Sequence, residues 1–143
     1  MNKIRLTKRF TFEAAHALEG YDGLCRHIHG HSYILYVTVS GFPCTDENSP
    51  KLGMVMDFGD LKHTVEKHIL SRFDHALILR ENAPLSAELH ANYGRIVYTS
   101  VQPTCENLLL IFAENLKDKL PQGVKLHSLR LHETASSYAE YEL

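Results

Sequence analysis

The stretch HSYILYVTVSG, residues 31–41, is rich in β-branched and aromatic side chains, and this composition predicts a strand. Upstream, residues 10–16 (FTFEAAH) alternate with a period of two, which predicts a second strand and places His16 on the same face as Phe10 and Phe12. The 14 residues between the two segments are enough for a connection between neighbouring strands. We therefore expect these two strands to pair with each other.

Two segments have the periodicity of helices. One spans residues 58–72, with Asp57 as the predicted N-cap, and the other spans residues 105–120, with Thr104 as the predicted N-cap. Further strands are predicted at residues 54–56, 76–79, 95–101, 124–133 and 138–143, and a loop at residues 80–94. This order of elements indicates the α+β class with a mostly antiparallel sheet.

Length, charge and composition narrow the class of protein. A chain of 143 residues predicts one domain spanning residues 1–143, and a net charge of -2 without a run of basic residues argues against nucleic acid as a partner. No apolar stretch approaches the roughly 18 residues of a membrane span, and the first residues do not resemble a secretory signal. With only three cysteines, Cys25, Cys44 and Cys105, a cytoplasmic protein is expected.

The stretch CRHIHGHSY, residues 25–33, concentrates metal-binding side chains. His29 and His31 are two residues apart at the start of a predicted strand, so their rings leave the same face, and His16 has the matching parity on the preceding strand. Three converging imidazoles are the typical ligand set of an open catalytic zinc site, in which the fourth position takes water or substrate. Two alternatives stay open, a closed structural site with Cys25 as fourth ligand and a set of surface histidines, and strand parity does not exclude His27 as a ligand.

Six motifs along nearly the whole chain resemble those of the 6-pyruvoyltetrahydropterin synthase family, which includes enzymes that form 6-carboxytetrahydropterin. In chain order they are FTFEAAHAL, CRHIHGHSY, GMVMDFGDLK, FDHALIL, PTCENL and LHETASSYAEY. The resemblance implies that His16, His29 and His31 bind a zinc ion and that His27 does not. It also implies that Cys25 is the catalytic thiol.

The same resemblance implies roles for five other residues. Asp74 and His75 are the expected acid/base pair that works with the thiol, although adjacent residues of an extended chain point to opposite faces, so we expect only that both border the pocket. Glu133 is expected to bind the pterin, from a partly buried position on the face of a strand. Thr104 and Glu106, from the PTCEN motif, are expected beside it in the substrate-binding pocket.

The reaction that the resemblance implies depends on the branch of the family. The spacing in CRHIHGH is similar to that of the carboxy-forming branch. This implies a cytoplasmic zinc-dependent lyase of queuosine biosynthesis that converts 7,8-dihydroneopterin triphosphate into 6-carboxy-5,6,7,8-tetrahydropterin and releases acetaldehyde and triphosphate. Two alternatives are the 6-pyruvoyl product, formed without carbon–carbon cleavage, and a zinc-stabilised assembly protein that is not an enzyme.

The family fold implies an architecture as well. It is the tunnelling fold, a four-stranded antiparallel sheet with two helices on one face, whose trimers close into a β-barrel and stack as hexamers. We therefore expect a homo-oligomer with sites between subunits, in which the Asp74–His75 pair serves its own or a neighbouring site. The chain departs from the family pattern at Cys105, where a small residue is usual, and in the longer segment 80–94, whose role is open.

Overall fold

The computed structural model describes residues 1–85 and 87–143. Six strands form one sheet in the order β4-β3-β1-β2-β5-β6. They are β1 (Ile4–His16), β2 (His29–Gly41), β3 (Ala76–Arg80), β4 (Ile96–Thr99), β5 (Lys125–Thr134) and β6 (Ser137–Glu142). The helices are α1 (Phe58–Val65), α2 (Ser71–Phe73), α3 (Ala87–Tyr93) and α4 (Cys105–Leu116), with a π-helical segment (Glu66–Leu70) joining α1 to α2 and a short 3₁₀ turn at Leu24–Arg26.

The long hairpin of β1 and β2 is the centre of the sheet. The two strands pair antiparallel over their full lengths, from His16 opposite His29 to Ile4 opposite Gly41. Side chains alternate along each strand as predicted, so that Phe12 and Tyr33 stand opposite each other on the buried face. The expected pairing of these two strands is confirmed.

The expected four-stranded antiparallel sheet with two helices on one face is not confirmed, because the sheet has six strands, and two of the predicted local elements were wrong as well. The sheet is mixed, because β3 pairs parallel with β1 and β4 pairs parallel with β3. No strand forms at residues 54–56, which lie in the long connection between β2 and α1. The predicted loop at 80–94 contains α3, and the ring of its His90 stacks on Tyr98 of β4.

The third helix lies on the opposite face of the sheet from α1 and α4. Ile78 and Val97, which pair across β3 and β4, are buried on the face of α1 and α4. Their neighbours on the other face line a small apolar cavity of ≈ 200 Å³ together with residues of the α3 segment: Ile28, Leu77, Leu85, Leu89, Tyr93 and Ile96. None of the helices that the structure describes has the length and apolar character of a membrane crossing.

An aromatic cluster joins the sheet to the helices. The ring of Phe12 stacks on Tyr33 with 4.9 Å between centroids, and Phe112 of α4 meets Phe12 edge-on at 5.9 Å. Phe112 also meets Phe73 of α2 edge-on at 5.1 Å. Phe112 of α4 therefore packs against both the central hairpin and α2.

Both predicted N-caps are confirmed. Asp57 Oδ1 accepts a hydrogen bond from the backbone N–H of Gly59 at 2.6 Å. Thr104 Oγ1 accepts one from the backbone N–H of Asn107 at 3.2 Å. These bonds satisfy N–H groups that have no partner within the helix, and so they fix where α1 and α4 begin.

Replacing Phe112 by alanine tests the core. We expect Phe112→Ala to lower the free energy of unfolding by about 3–5 kcal/mol, because the fully buried ring leaves a cavity between sheet and helices. Leu110→Ala, on the half-exposed side of the same helix, is the control and should lower it by less than about 1 kcal/mol. Urea denaturation measures both values, and equal losses in the two variants would contradict this description of the core.

Candidate functional site

Three imidazoles meet at the closed end of the β1–β2 pair. His16 stands opposite His29 in the ladder, and His31 stands opposite Ala14, so all three rings lie on the helix-facing side of the sheet. The distances between ring centroids are 4.6 Å for His16–His29, 5.1 Å for His16–His31 and 4.9 Å for His29–His31. The structure thus brings together the three histidines singled out from the sequence.

Two backbone carbonyls determine which nitrogen carries the hydrogen in two of the three rings. His16 Nδ1 lies 2.7 Å from the carbonyl oxygen of Pro103, and His29 Nδ1 lies 2.7 Å from that of His27. Because a carbonyl oxygen only accepts, each Nδ1 carries the hydrogen, and each neutral ring then has a lone pair at Nε2. The two Nε2 atoms lie 3.0 Å apart. Lone pairs that face each other at this distance repel unless a cation lies between them.

A carboxylate completes the group. Glu133 Oε1 lies 3.0 Å from His31 Nε2 and 3.7 Å from His16 Nε2. One ligand atom from each of His16, His29, His31 and Glu133 lies within 4.8 Å of the others. Among the described residues, His31 Nε2 is a buried nitrogen without a partner in hydrogen-bond geometry, despite its closeness to Glu133. A metal ion bound by nitrogen and oxygen ligands fits this donor set, since zinc–nitrogen bonds of about 2.0–2.1 Å place two ligands slightly more than 3 Å apart.

Burial keeps two of these rings neutral. Desolvation lowers the pKa of His16, opposed in part by the hydrogen bond to Pro103 and by the charge of Glu133. Desolvation likewise lowers the pKa of His31, again opposed by Glu133. Because a metal ligand must be the neutral imidazole, both shifts favour binding of a cation.

The ring of Tyr33 packs against the rings of His16 and His31, a contact that the sequence does not predict. Its ring centroid lies 5.5 Å from that of His31 and 6.3 Å from that of His16. Burial, together with the charge of Glu133, raises the pKa of Tyr33 above its usual range, so its hydroxyl stays protonated. Within the described chain this hydroxyl is buried without a hydrogen-bond partner.

Cys25 and His27 lie close in sequence to the group but are not part of it. Cys25 is half-buried in the 3₁₀ turn, where its carbonyl oxygen accepts a hydrogen bond from the N–H of Leu18 at 3.0 Å. Its Sγ is not one of the ligand atoms that converge with the three imidazoles. His27 contributes its backbone carbonyl to His29, while its ring accepts a hydrogen bond from Arg26. The geometry therefore argues against a closed site with Cys25 as the fourth ligand.

Asp74 and His75 are hydrogen-bonded to each other, contrary to the expectation for adjacent residues of an extended chain. His75 has a φ of 61°, and this left-handed conformation turns its ring back so that Nδ1 lies 2.9 Å from Asp74 Oδ1. The same Oδ1 accepts a hydrogen bond from the N–H of Glu13 at 3.0 Å, and the N–H of His75 donates to the carbonyl of Glu13. The pair is thereby tied to β1.

His75 and His31, but not Asp74, are among the residues that line one open pocket. It has a volume of ≈ 360 Å³ and is lined by Glu13, Ala14, Ala15, Gly30, His31, Ser32 and His75. The side chain of His75 is 74% exposed, and Ser32 Oγ donates a hydrogen bond of 2.7 Å to Glu13 Oε2. Because Glu13 and Ser32 alternate along β1 and β2 with the residues that carry the imidazoles, the pocket lies mainly on the sheet face opposite those rings.

The PTCEN motif supplies the start of α4. Thr104 uses its hydroxyl as a cap, and Glu106 is exposed in the first turn of the helix. Cys105 is buried, and its thiol donates to the carbonyl of Leu131, two residues before Glu133. Desolvation and then the charge of Glu133 raise the pKa of Cys105 to about 11. The motif thus lies beside Glu133, and Glu133 is partly buried as expected, with 25% of its side chain exposed.

Comparisons with known proteins match the chain to the family that its six motifs resemble. The model of the family described as 6-pyruvoyl tetrahydropterin synthase matches residues 5–143. The 6-carboxy-5,6,7,8-tetrahydropterin synthase of Rickettsia typhi is 34% identical, covering 96% of this chain and 99% of that protein. The synthase of the same name from Haemophilus influenzae is 33% identical, covering 96% of this chain and 98% of that protein. An uncharacterized protein from Wolinella succinogenes has the same fold, with a TM-score of 0.81 at 22% identity and 99% coverage of both chains.

Metal content distinguishes ligands from neighbours. We expect His29→Ala or His31→Ala to lose the bound metal, because each change removes a converging Nε2. His27→Ala is the matched control and should keep one ion per chain, since His27 serves the site through its backbone carbonyl. Elemental analysis of dialysed protein measures the content. Equal loss in His27→Ala would mean that the ligand set is wrong.

Thiol reactivity tests the surroundings of Glu133. At pH 8 a pKa of about 11 leaves Cys105 with about one thousandth of its thiol ionised, so iodoacetamide should modify it far more slowly than the half-buried Cys44. Its rate should rise as the pH approaches 11, because the thiolate is the reactive form. Peptide mass mapping of the folded protein measures both rates, and similar rates at pH 8 would contradict the placement of Cys105.

Proposed function

This chain belongs to the 6-pyruvoyl tetrahydropterin synthase family, and we propose that it is a zinc-dependent 6-carboxytetrahydropterin synthase. The reaction converts 7,8-dihydroneopterin triphosphate and one water molecule into 6-carboxy-5,6,7,8-tetrahydropterin, acetaldehyde and triphosphate, as a cytoplasmic step of queuosine biosynthesis. The observation that carries the proposal is the convergence of His16, His29, His31 and Glu133, in which the Nε2 atoms of His16 and His29 lie 3.0 Å apart and one ligand atom of each residue lies within 4.8 Å of the others. The relatives' names supply the substrate class.

His16, His29 and His31 would hold the zinc ion. Held by these three residues, the ion would supply Lewis-acid chemistry that acidifies the hydroxyl groups of the substrate side chain and stabilises negative charge on their oxygens. The carbonyls of Pro103 and His27 orient two of the ligand rings through Nδ1, as outer-shell hydrogen bonds do in metal sites. Two of the three ligand rings are thus already turned with Nε2 toward the position that the ion would take.

Cys25 and the Asp74–His75 pair are the proposed proton-transfer groups. Cys25 would take a carbon-bound proton as its thiolate. Asp74 accepts the Nδ1–H of His75, which leaves Nε2 of that ring as the site that accepts or returns a proton. His75 and His31 both line the same open pocket, and their nearness supports a role for His75 beside the metal group.

Glu133, Glu106 and Thr104 are the proposed substrate-binding residues. A carboxylate matches the two N–H donors on the amino-pyrimidine edge of a pterin in a bidentate contact. Thr104 accepts the N–H of Asn107 but still has its own hydroxyl hydrogen to donate. Cys105, between Thr104 and Glu106, bonds to Leu131, and this contact supports a common pocket for the three residues.

We also propose a homo-oligomer, a trimer or a hexamer, with sites completed between subunits. The strands β4 and β6 form the two edges of the sheet and offer unpaired backbone groups to another copy. His75 is 74% exposed, whereas a proton-transfer group works best away from bulk water. A neighbouring chain that covers His75 in the oligomer would shield this ring from bulk water.

Product analysis with a Cys25 variant tests the function. The zinc-loaded protein should produce acetaldehyde and the 6-carboxy pterin from 7,8-dihydroneopterin triphosphate. Cys25→Ala should keep one zinc ion per chain, because Cys25 is outside the ligand group, and should lose turnover by roughly 100-fold or more. His27→Ala, two residues away, is the control for changes in the turn and should remain active.

Two other outcomes would each assign a different function to this chain. A 6-pyruvoyl product without acetaldehyde would assign the chain to 6-pyruvoyltetrahydropterin synthesis. Loss of zinc together with unfolding in Cys25→Ala would indicate the zinc-stabilised assembly protein instead.

A further inference from the structure

The conformation of His75 requires support from its surroundings. Of the residues that the structure describes, His75 is the non-glycine residue with a positive φ, 61°. A residue with a Cβ is destabilised in this left-handed region, and such a conformation persists where neighbouring contacts hold it. It is also the conformation that directs Nδ1 of the ring to Asp74. Whatever holds this backbone therefore sets the orientation of the imidazole.

Arg95 contacts the chain immediately before His75. Its Nε donates to the carbonyl oxygen of Asp74 at 2.7 Å, and its Nη2 donates to the carbonyl oxygen of Ser71 at 2.6 Å. Both carbonyls lie at the C-terminal end of the α1–α2 helix, where backbone oxygens have no further helical partner. A guanidinium makes two such bonds at once from a planar group, which a lysine does not.

The peptide group between Asp74 and His75 is held from both sides. Arg95 binds its carbonyl oxygen, and the carbonyl of Glu13 accepts its N–H. Rotation of this peptide would break both bonds and change the φ of His75. The two contacts together fix the turn, although only the contact from Arg95 comes from a side chain and can be removed by substitution.

Arg95 is itself placed by the segment 80–94. Its N–H donates to the carbonyl of Tyr93 at the end of α3, and its carbonyl accepts from the N–H of Leu77 in β3 at 2.9 Å. Gly94, with a φ of 51°, makes the turn between the helix and Arg95. Arg95, the residue that follows this segment, is therefore bonded to β3 through its backbone and to the Asp74–His75 turn through its side chain.

We propose that Arg95 is a positioning residue that holds His75 with Nδ1–H directed to Asp74, which leaves Nε2 available to the pocket that His75 lines. The inference rests on the proposed function in so far as His75 transfers protons in the reaction. It gives segment 80–94 a role, which is to deliver the guanidinium that orders the acid/base pair. Arg95 acts through the backbone of Asp74 and Ser71 and touches no reacting group.

The test reads the tautomer of His75 directly. Long-range proton–nitrogen spectra of the zinc-loaded, nitrogen-15-labelled protein report which ring nitrogen carries the hydrogen, and His75→Gln assigns the signal. The wild-type ring should show the Nδ1–H form. Arg95→Gln should convert a substantial part of it to the Nε2–H form, and Arg95→Lys, which reaches one carbonyl at a time, should give an intermediate result.

Turnover gives a second reading. In Arg95→Gln we expect kcat to fall roughly 10- to 100-fold, with KM and zinc content within about 2-fold of the wild type. Arg72→Gln is the matched control, because it removes the same charge from the same helix end while its side chain lies over the ring of Phe73. It should change neither the tautomer nor kcat.

Several outcomes would overturn the inference. One is a wild-type His75 spectrum in the folded Arg95 variants, and another is an equal change in Arg72→Gln. If Arg95→Gln does not fold, Arg95→Lys decides, since it keeps a cation at the helix end. If the wild-type protein does not turn over the pterin triphosphate, the proposed function fails, whereas the tautomer measurement still decides whether Arg95 positions His75.

Discussion

The in-register pairing of β1 with β2 is the constraint on which the metal group depends. His16 stands opposite His29, and His31 follows two residues later on the same face. A slip of one residue would turn the β2 imidazoles to the other side of the sheet, away from Glu133 and from the carbonyl of Pro103. Thirteen residues in each strand pair without interruption, and the buried aromatic rings of Phe12 and Tyr33 specify the same register.

The segment at the start of α4 then determines how the His16 ring is protonated. Pro103 accepts from His16 Nδ1, Thr104 caps the helix, and Cys105 packs against the carbonyl of Leu131 beside Glu133. Three consecutive residues thus connect the helix, the hairpin and β5. The bond to Pro103 matters most for function, because without it the His16 ring could protonate Nε2 and present a hydrogen instead of a lone pair.

The sequence predicts those parts of the molecule that depend on local periodicity. The β1–β2 pair, both N-caps and the shared face of His16, His29 and His31 follow from spacing along the chain. The parallel pairing of β3 and β4 does not, since a short apolar run such as residues 76–79 contains no information about the direction of its partner. The left-handed φ of His75 was also missed, because it is imposed by distant contacts from Glu13 and Arg95.

A single strand connects the two halves of the site. Within β1, His16 contributes its ring to the metal group, and Glu13 binds the Asp74–His75 turn through its backbone N–H and carbonyl. Three residues of extended chain separate them, which corresponds to about 10 Å at roughly 3.3 Å per residue. This spacing is covalent and lies in the most extensively paired strand of the sheet, so it does not depend on side-chain packing. The backbone of β1 therefore fixes the spacing between the ligand His16 and the point where the Asp74–His75 turn is attached, and the side chains of Arg95 and Asp74 act on the orientation of the His75 ring.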